Sequence, residues 1–156
     1  MALIISGKST CPLCGLVMQK DEEIYGFPAF VGDESDPIYP YSDAGFHTAC
    51  LAADPLGMIA IEAVDEWYAN TGPGKRNCTV CGVEVMNHDE YLGLDYLARS
   101  ADHPLRRFNY IHLHKSCVPR WEARAEFIAT AKEVIAAGEW AGNVLPRLVA
   151  QLEKLA

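Results

Sequence analysis

Long apolar runs are missing from this sequence. Nothing in it approaches the ~20 consecutive apolar residues that a membrane helix needs, so no membrane partner is expected. The first residues, Met-Ala-Leu-Ile-Ile-Ser-Gly-Lys, lack a basic start, and their apolar stretch ends at Ile5. A secretory signal wants roughly 7–15 apolar residues. The expected location is therefore cytoplasmic, where thiols stay reduced. Positive charge is scarce at the front: up to Asn70 the chain holds two basic side chains, Lys8 and Lys20, against eleven acidic ones. Such a segment repels phosphate. Catalytic signatures are also missing. There is no G-x-S-x-G and no H-E-x-x-H, and Gly72-Pro-Gly-Lys75 lacks the spacing of a phosphate loop. His88-Asp89-Glu90 matches the H-x-E of zinc deaminases, but their P-C-x-x-C must follow it, and both C-x-x-C pairs here precede it. The expectation is a non-enzymatic protein.

What is present is a globular balance: 156 residues, half of them hydrophobic and a tenth aromatic, with net charge −8. Six cysteines in a reducing compartment point to metal ligands before disulfides. Their spacing sharpens this. Cys11-Pro-Leu-Cys14-Gly15 recurs as Cys78-Thr-Val-Cys81-Gly82, and His47-Thr-Ala-Cys50 recurs as His114-Lys-Ser-Cys117. Every candidate ligand moves by one constant offset, the step from Cys11 to Cys78. Over the stretch so aligned there are eight identities, and six of these are the four ligands plus Gly15/Gly82 and Gly26/Gly93. Scattered structural cysteines would not carry a matching histidine in each half. The chain reads as a duplicated unit, with one copy over 1–70, a second over 71–137 and a C-terminal helix over 138–156 packing on them. The breaker cluster Asn70-Thr-Gly-Pro-Gly-Lys75 marks the joint.

Thiolate sulfur and imidazole nitrogen suit tetrahedral zinc. A short spacer between cysteines lets one tight turn deliver both side chains, and the following glycine accommodates a positive φ. In H-x-x-C, positions i and i+3 share one face of a helical turn. The expected ligand sets are Cys11, Cys14, His47 and Cys50, then Cys78, Cys81, His114 and Cys117. Four protein ligands fill the shell, whereas catalytic zinc keeps a position for water. Two structural zinc ions are therefore expected. His88, His103 and His112 are read as solvated or ordinary hydrogen-bonding histidines.

A C-x-x-C-G knuckle, a hairpin and an H-x-x-C helix together resemble a treble-clef zinc finger, and Phe46-His47-Thr-Ala-Cys50-Leu51 is similar to the middle of LIM-type fingers. The resemblance runs from Cys11 to Cys50 in one copy and from Cys78 to Cys117 in the other. It departs from a true LIM domain, which places another C-x-x-C almost directly after the H-x-x-C. A cross-braced arrangement joining Cys11/Cys14 to Cys78/Cys81 is possible in principle, and the even duplication favours sequential sites. The implied fold class is α+β: two small zinc-stabilised treble-clef-like units plus a C-terminal helix. Strands are expected over 24–30 and 90–96, returning near 43–46 and 108–113. Helices are expected over 55–70, with Asp54 as N-cap, and over 119–137 and 143–155.

The acidic first copy points to a basic protein partner. Its loop joins Asp33, Glu34 and Asp36 to Tyr39 and Tyr41, carboxylates for steering and aromatics for contact area. By analogy of charge alone, antitoxins and immunity proteins that inhibit basic nucleases share this balance. The alternative is a nucleic-acid-binding zinc protein using the second copy, where Arg99, Arg106, Arg107 and Lys115 are the candidates.

Overall fold

The computed structural model describes residues 2–155. It is a mixed α/β fold with small antiparallel hairpins. In chain order the elements are β1 (Ile24–Gly26), β2 (Gly45–His47), α1 (Thr48–Ala53), α2 (Gly57–Thr71), β3 (Tyr91–Leu94), β4 (Ile111–His114), α3 (Arg124–Ala136) and α4 (Val144–Lys154). β1 pairs with β2 and β3 with β4, each antiparallel, with Ile24 opposite His47 and Tyr91 opposite His114. Among the described residues no helix is long and apolar enough to cross a membrane.

The chain divides into two compact units. One comprises the chain up to Val31 with Asp36–Glu66, and the other comprises Gly32–Ser35 with the chain from Trp67 onward. The boundary thus falls inside α2, a turn before the breaker cluster, and the short piece Gly32–Ser35 of the first loop belongs to the second unit.

The strands are shorter than their β-formers imply. β1 ends at Gly26, before Pro28, which cannot donate to a ladder. The helix expected over 55–70 is α2, and a separate short helix, α1, precedes it. α1 begins directly after His47, and its C-cap Asp54 is extended at ψ 131°, as a residue before proline prefers. Asp54 Oδ2 then accepts from Leu56 N at 3.0 Å, just ahead of α2. Glycine is required at 57, where a Cβ would lie 2.1 Å from the Leu51 carbonyl oxygen. In the second unit Pro119 sits within the segment after His114, and Lys115–Arg120 is a 3-10 helix instead of α. α3 starts only at Arg124.

Phe27 is the hub of the first core. Its ring centroid lies 5.8 Å from Phe30, 5.9 Å from Tyr41 and 5.8 Å from Phe46. In the second unit Phe108 meets Phe127 at 5.1 Å and Trp121 at 6.4 Å. The buried stripe Leu145, Val149 and Leu152 of α4 joins that core. These residues recur every three to four positions, so one face of the helix is covered.

Candidate metal centre

Each C-x-x-C pair sits on a tight knuckle. Cys11 N donates to Leu16 O at 2.9 Å and Gly15 N to Cys11 O at 2.8 Å. The same bonds recur at the counterpart positions, Cys78 N to Val83 O at 2.9 Å and Gly82 N to Cys78 O at 2.8 Å. Gly15 and Gly82 have φ of +72° and +73°, a region that penalises any Cβ. β2 and β4 end on the two histidines, and Cys50 and Cys117 follow within the first helical turn. Knuckle, strand end and helical turn thus converge.

The ligand atoms of Cys11, Cys14, His47 and Cys50 lie within 4.8 Å of one another, as do those of Cys78, Cys81, His114 and Cys117. Cys14 Sγ is 3.3 Å and Cys50 Sγ 3.9 Å from His47 Nδ1, and Cys81 Sγ is 3.5 Å from His114 Nδ1. A tetrahedral ion with Zn–S of about 2.3 Å and Zn–N of about 2.0 Å has a sulfur–nitrogen edge of about 3.5 Å. The observed separations bracket that edge. All six cysteines are free thiols. Three sulfurs and one imidazole nitrogen at these spacings fit zinc, and these eight residues would hold two such ions.

Two thiols of each cluster are shifted in opposite directions. Burial pushes Cys11 up, but the amides of His47, Cys14 and Leu13 outweigh it and bring it down to about 6. Cys78 reaches about 6 in the same way, with the amides of His114, Cys81 and Val80 opposing burial. Cys50 moves the other way, to about 11, through desolvation and then its neighbours Cys14 and Cys11. Cys117 is likewise raised, first by desolvation and then by Cys78 and Cys81. Three sulfurs lie together in each cluster, and a divalent cation among them would let all of them ionise.

The surroundings differ between the clusters. His47 Nε2 lies 3.0 Å from Glu22 Oε2, which also accepts from Gln19 N at 2.7 Å. A carboxylate behind the imidazole fixes the ring so that Nδ1 faces the sulfurs. At the corresponding position Asp89 presents its backbone carbonyl to Lys115 Nζ. In the second cluster Arg120 Nη2 donates to Cys117 Sγ at 3.3 Å, and His114 N donates to Cys78 Sγ at 3.4 Å.

His112 is no ligand. It is buried, its Nε2 donates to Asn70 O at 2.9 Å, and its Nδ1 accepts from Tyr91 OH at 2.8 Å. The backbone carbonyl can only accept, which fixes the tautomer. Desolvation lowers its pKa, in keeping with a neutral ring. His103 Nδ1 accepts from Leu105 N at 3.2 Å, the turn bond that Asp36 Oδ1 makes with Ile38 N at 2.9 Å in the first unit.

The acidic loop is less open than its composition implies. Tyr41, expected on the docking surface, is buried, and its hydroxyl donates to Asp54. It must be removed from that surface, because its ring is part of the Phe27 core. Asp33 Oδ1 accepts from Ser35 N, Ser35 Oγ and Ala141 N. Glu34 packs beside Gly142. Asp36 is half-buried in its turn, and Tyr39 is exposed. The four basic candidates do not converge either. Lys115 follows the His114 end of the second hairpin, whereas Arg106 and Arg107 lie at its Ile111 end. Arg107 is paired with Glu126, and Arg99 is exposed in the connecting loop.

The knuckles also carry exposed apolar side chains, which residue type alone does not mark. Leu13, Leu16 and Val17 on the first knuckle are exposed, as are Leu3 and Ile5. On the second knuckle Val83 and Met86 are exposed. Leu16 and Val83 are counterparts at the ligand offset and stand 65% and 60% exposed. Retention of an apolar residue there in both halves was the available signal. No family model, no curated protein and no solved structure matches this chain.

Proposed function

We propose that the chain is a tandem treble-clef-like zinc protein whose metals are structural and whose task is to bind another protein. The observation that carries the reading is the pair of Cys3His clusters, each closed by four protein donors at tetrahedral spacing. The recurrence of knuckle, turn and hairpin bonds at one offset supports duplication of a single unit. A filled coordination shell gives substrate and water no place on the metal, which favours a scaffold over an enzyme.

Support for a protein partner comes from the first knuckle. Leu13, Leu16 and Val17 expose apolar area in a segment whose charge is strongly negative. Exposed apolar area on a segment of negative net charge fits a basic protein better than phosphate. Nucleic acid is the weaker reading, because Arg107 and Lys115 are engaged within the chain and lie at opposite ends of the hairpin.

The test is affinity capture on the zinc-loaded chain beside a Leu13→Ser/Leu16→Ser variant. A basic protein should be retained by the first and lost from the second, with salt weakening the binding. Recovery of nuclease-sensitive nucleic acid, held equally by both, would overturn the protein reading.

A further inference from the structure

The two clusters share their ligand types but not the exposure of the last cysteine. In the first, Cys14 is exposed and Cys50 half-buried. Both border an open groove of about 250 Å³, completed by Leu13, Ala53 and Asp54. In the second, Cys117 is buried and its sulfur accepts a hydrogen bond from Arg120. The residue matching Arg120 at the ligand offset is Ala53, which is exposed. The guanidinium of the second cluster is thus replaced in the first by a groove wall.

Attack by a thiolate on a soft electrophile depends on the negative charge left on sulfur and on access to it. A cationic hydrogen bond withdraws that charge. Among the described residues no cationic group donates to Cys50, and the first cluster instead has the Glu22 carboxylate behind its imidazole, which would raise donation to a bound metal. Charge and access point the same way.

We propose that the first cluster is a site of thiol modification by soft electrophiles and peroxide, with Cys14 and Cys50 as the reacting pair, and that Arg120 protects the second cluster. The proposal rests on the zinc reading above. With hydrogen peroxide the chemistry balances as follows. The Cys14 thiolate attacks one oxygen, the O–O bond breaks, and a sulfenic acid and hydroxide form. The Cys50 thiolate, whose sulfur lies within 4.8 Å, attacks the sulfenic sulfur, forms the S–S bond and expels a second hydroxide. The two hydroxides take up two protons as water. The sulfurs lose two electrons and the peroxide gains them. The disulfide would leave Cys11 and His47 alone to hold a zinc ion, two donors short of a closed tetrahedral shell.

The test uses the full chain with its zinc content measured first. Limiting hydrogen peroxide or N-ethylmaleimide is added, zinc release is followed with a chromogenic chelator, and the modified cysteines are mapped by mass spectrometry. One zinc equivalent should leave about tenfold faster than the other, with modification at Cys14 and Cys50. Ala53→Arg should slow the fast phase and Arg120→Ala should speed the slow one. Both positions are exposed, and circular dichroism checks that both variants fold. Release of both equivalents in one phase, first modification at Cys81 and Cys117, or rates indifferent to both substitutions would overturn the proposal. Fewer than two zinc ions per chain at the start would instead overturn the metal reading beneath it.

Discussion

Ser42 and Asn109 are counterparts at the ligand offset and make the same hydrogen bonds with different chemistry. Ser42 Oγ accepts from Phe30 N at 2.9 Å and Val31 N at 3.1 Å. Asn109 Oδ1 accepts from Leu97 N at 3.0 Å and Ala98 N at 3.2 Å. Asn109 Nδ2 also donates to Ala98 O at 2.9 Å. All four amides belong to buried residues, so each side chain satisfies two donors that water does not reach. The residues that follow, Asp43 and Tyr110, both have positive φ, at 54° and 61°.

Removing either clamp orphans those amides. Ser42→Ala and Asn109→Ala should each cost about 1–3 kcal/mol, read as a fall in denaturant midpoint at unchanged slope. Asn109→Ser should recover part of the loss. Alanine variants that unfold with the wild type would contradict the assignment.

Metal should decide whether each unit folds. Structural zinc in finger peptides is worth an apparent ~10–16 kcal/mol, against total domain stabilities of ~5–15 kcal/mol. Cys14→Ser and Cys81→Ser should each lose one zinc by elemental analysis and loosen its own unit. A strong chelator should abolish the near-ultraviolet signal of the Phe27 and Phe108 clusters. An unchanged spectrum and melt after verified metal removal would refute this.

Acid should discharge the metal in a defined range. Cys11 and Cys78 are held at about 6, below the ordinary thiol value of 9. A depressed thiol stabilises the fold above its unfolded pKa, and that contribution disappears as pH falls through the folded value. Bound zinc competes with protons and moves the loss lower. Zinc retention after gel filtration should therefore be complete near about pH 7 and fall steeply below about pH 6. Full retention at about pH 4 would be incompatible with proton competition at these thiols.

Alkali should strain the first unit. Burial, then the hydrogen bond and charge of Asp54, pushes Tyr41 up from 10 to about 12. A raised phenol stabilises the fold below its unfolded pKa, and the contribution is lost as pH rises from 10 through about 12. Tyr41→Phe should cost about 1–3 kcal/mol at neutral pH and flatten the alkaline decline. A variant with the wild-type alkaline slope would place that titration elsewhere.

The metal clusters were legible because coordination ties chemistry to spacing. Cys11, Cys14, His47 and Cys50 can be read from types and intervals, and the constant offset repeats the test within one chain. The hairpins were legible in outline, with ends displaced where Gly26 and Pro28 cut pairing short. Two kinds of feature were not legible. The shared role of Ser42 and Asn109 was hidden because a hydroxyl and a carboxamide can satisfy the same amides, and residue identity does not report that. The bond from Ala141 N to Asp33 was hidden because no periodicity links a loop acid to a backbone amide so far along the chain. Composition assigned Tyr41 to the surface with its acidic neighbours, whereas its ring had a place beside Phe27 and its hydroxyl a partner in Asp54.

The Asp33–Ala141 bond bears on how the polypeptide can be dissected. Gly32–Ser35 is counted with the later unit, and a Cβ on Gly32 would press on Val144 at 2.9 Å. Scissors applied at the glycine-proline joint after Thr71 would yield an amino-terminal fragment with a short detour stripped of its seat. Each compact unit is therefore assembled from separated stretches of chain, so no single cut in the backbone would release either one whole.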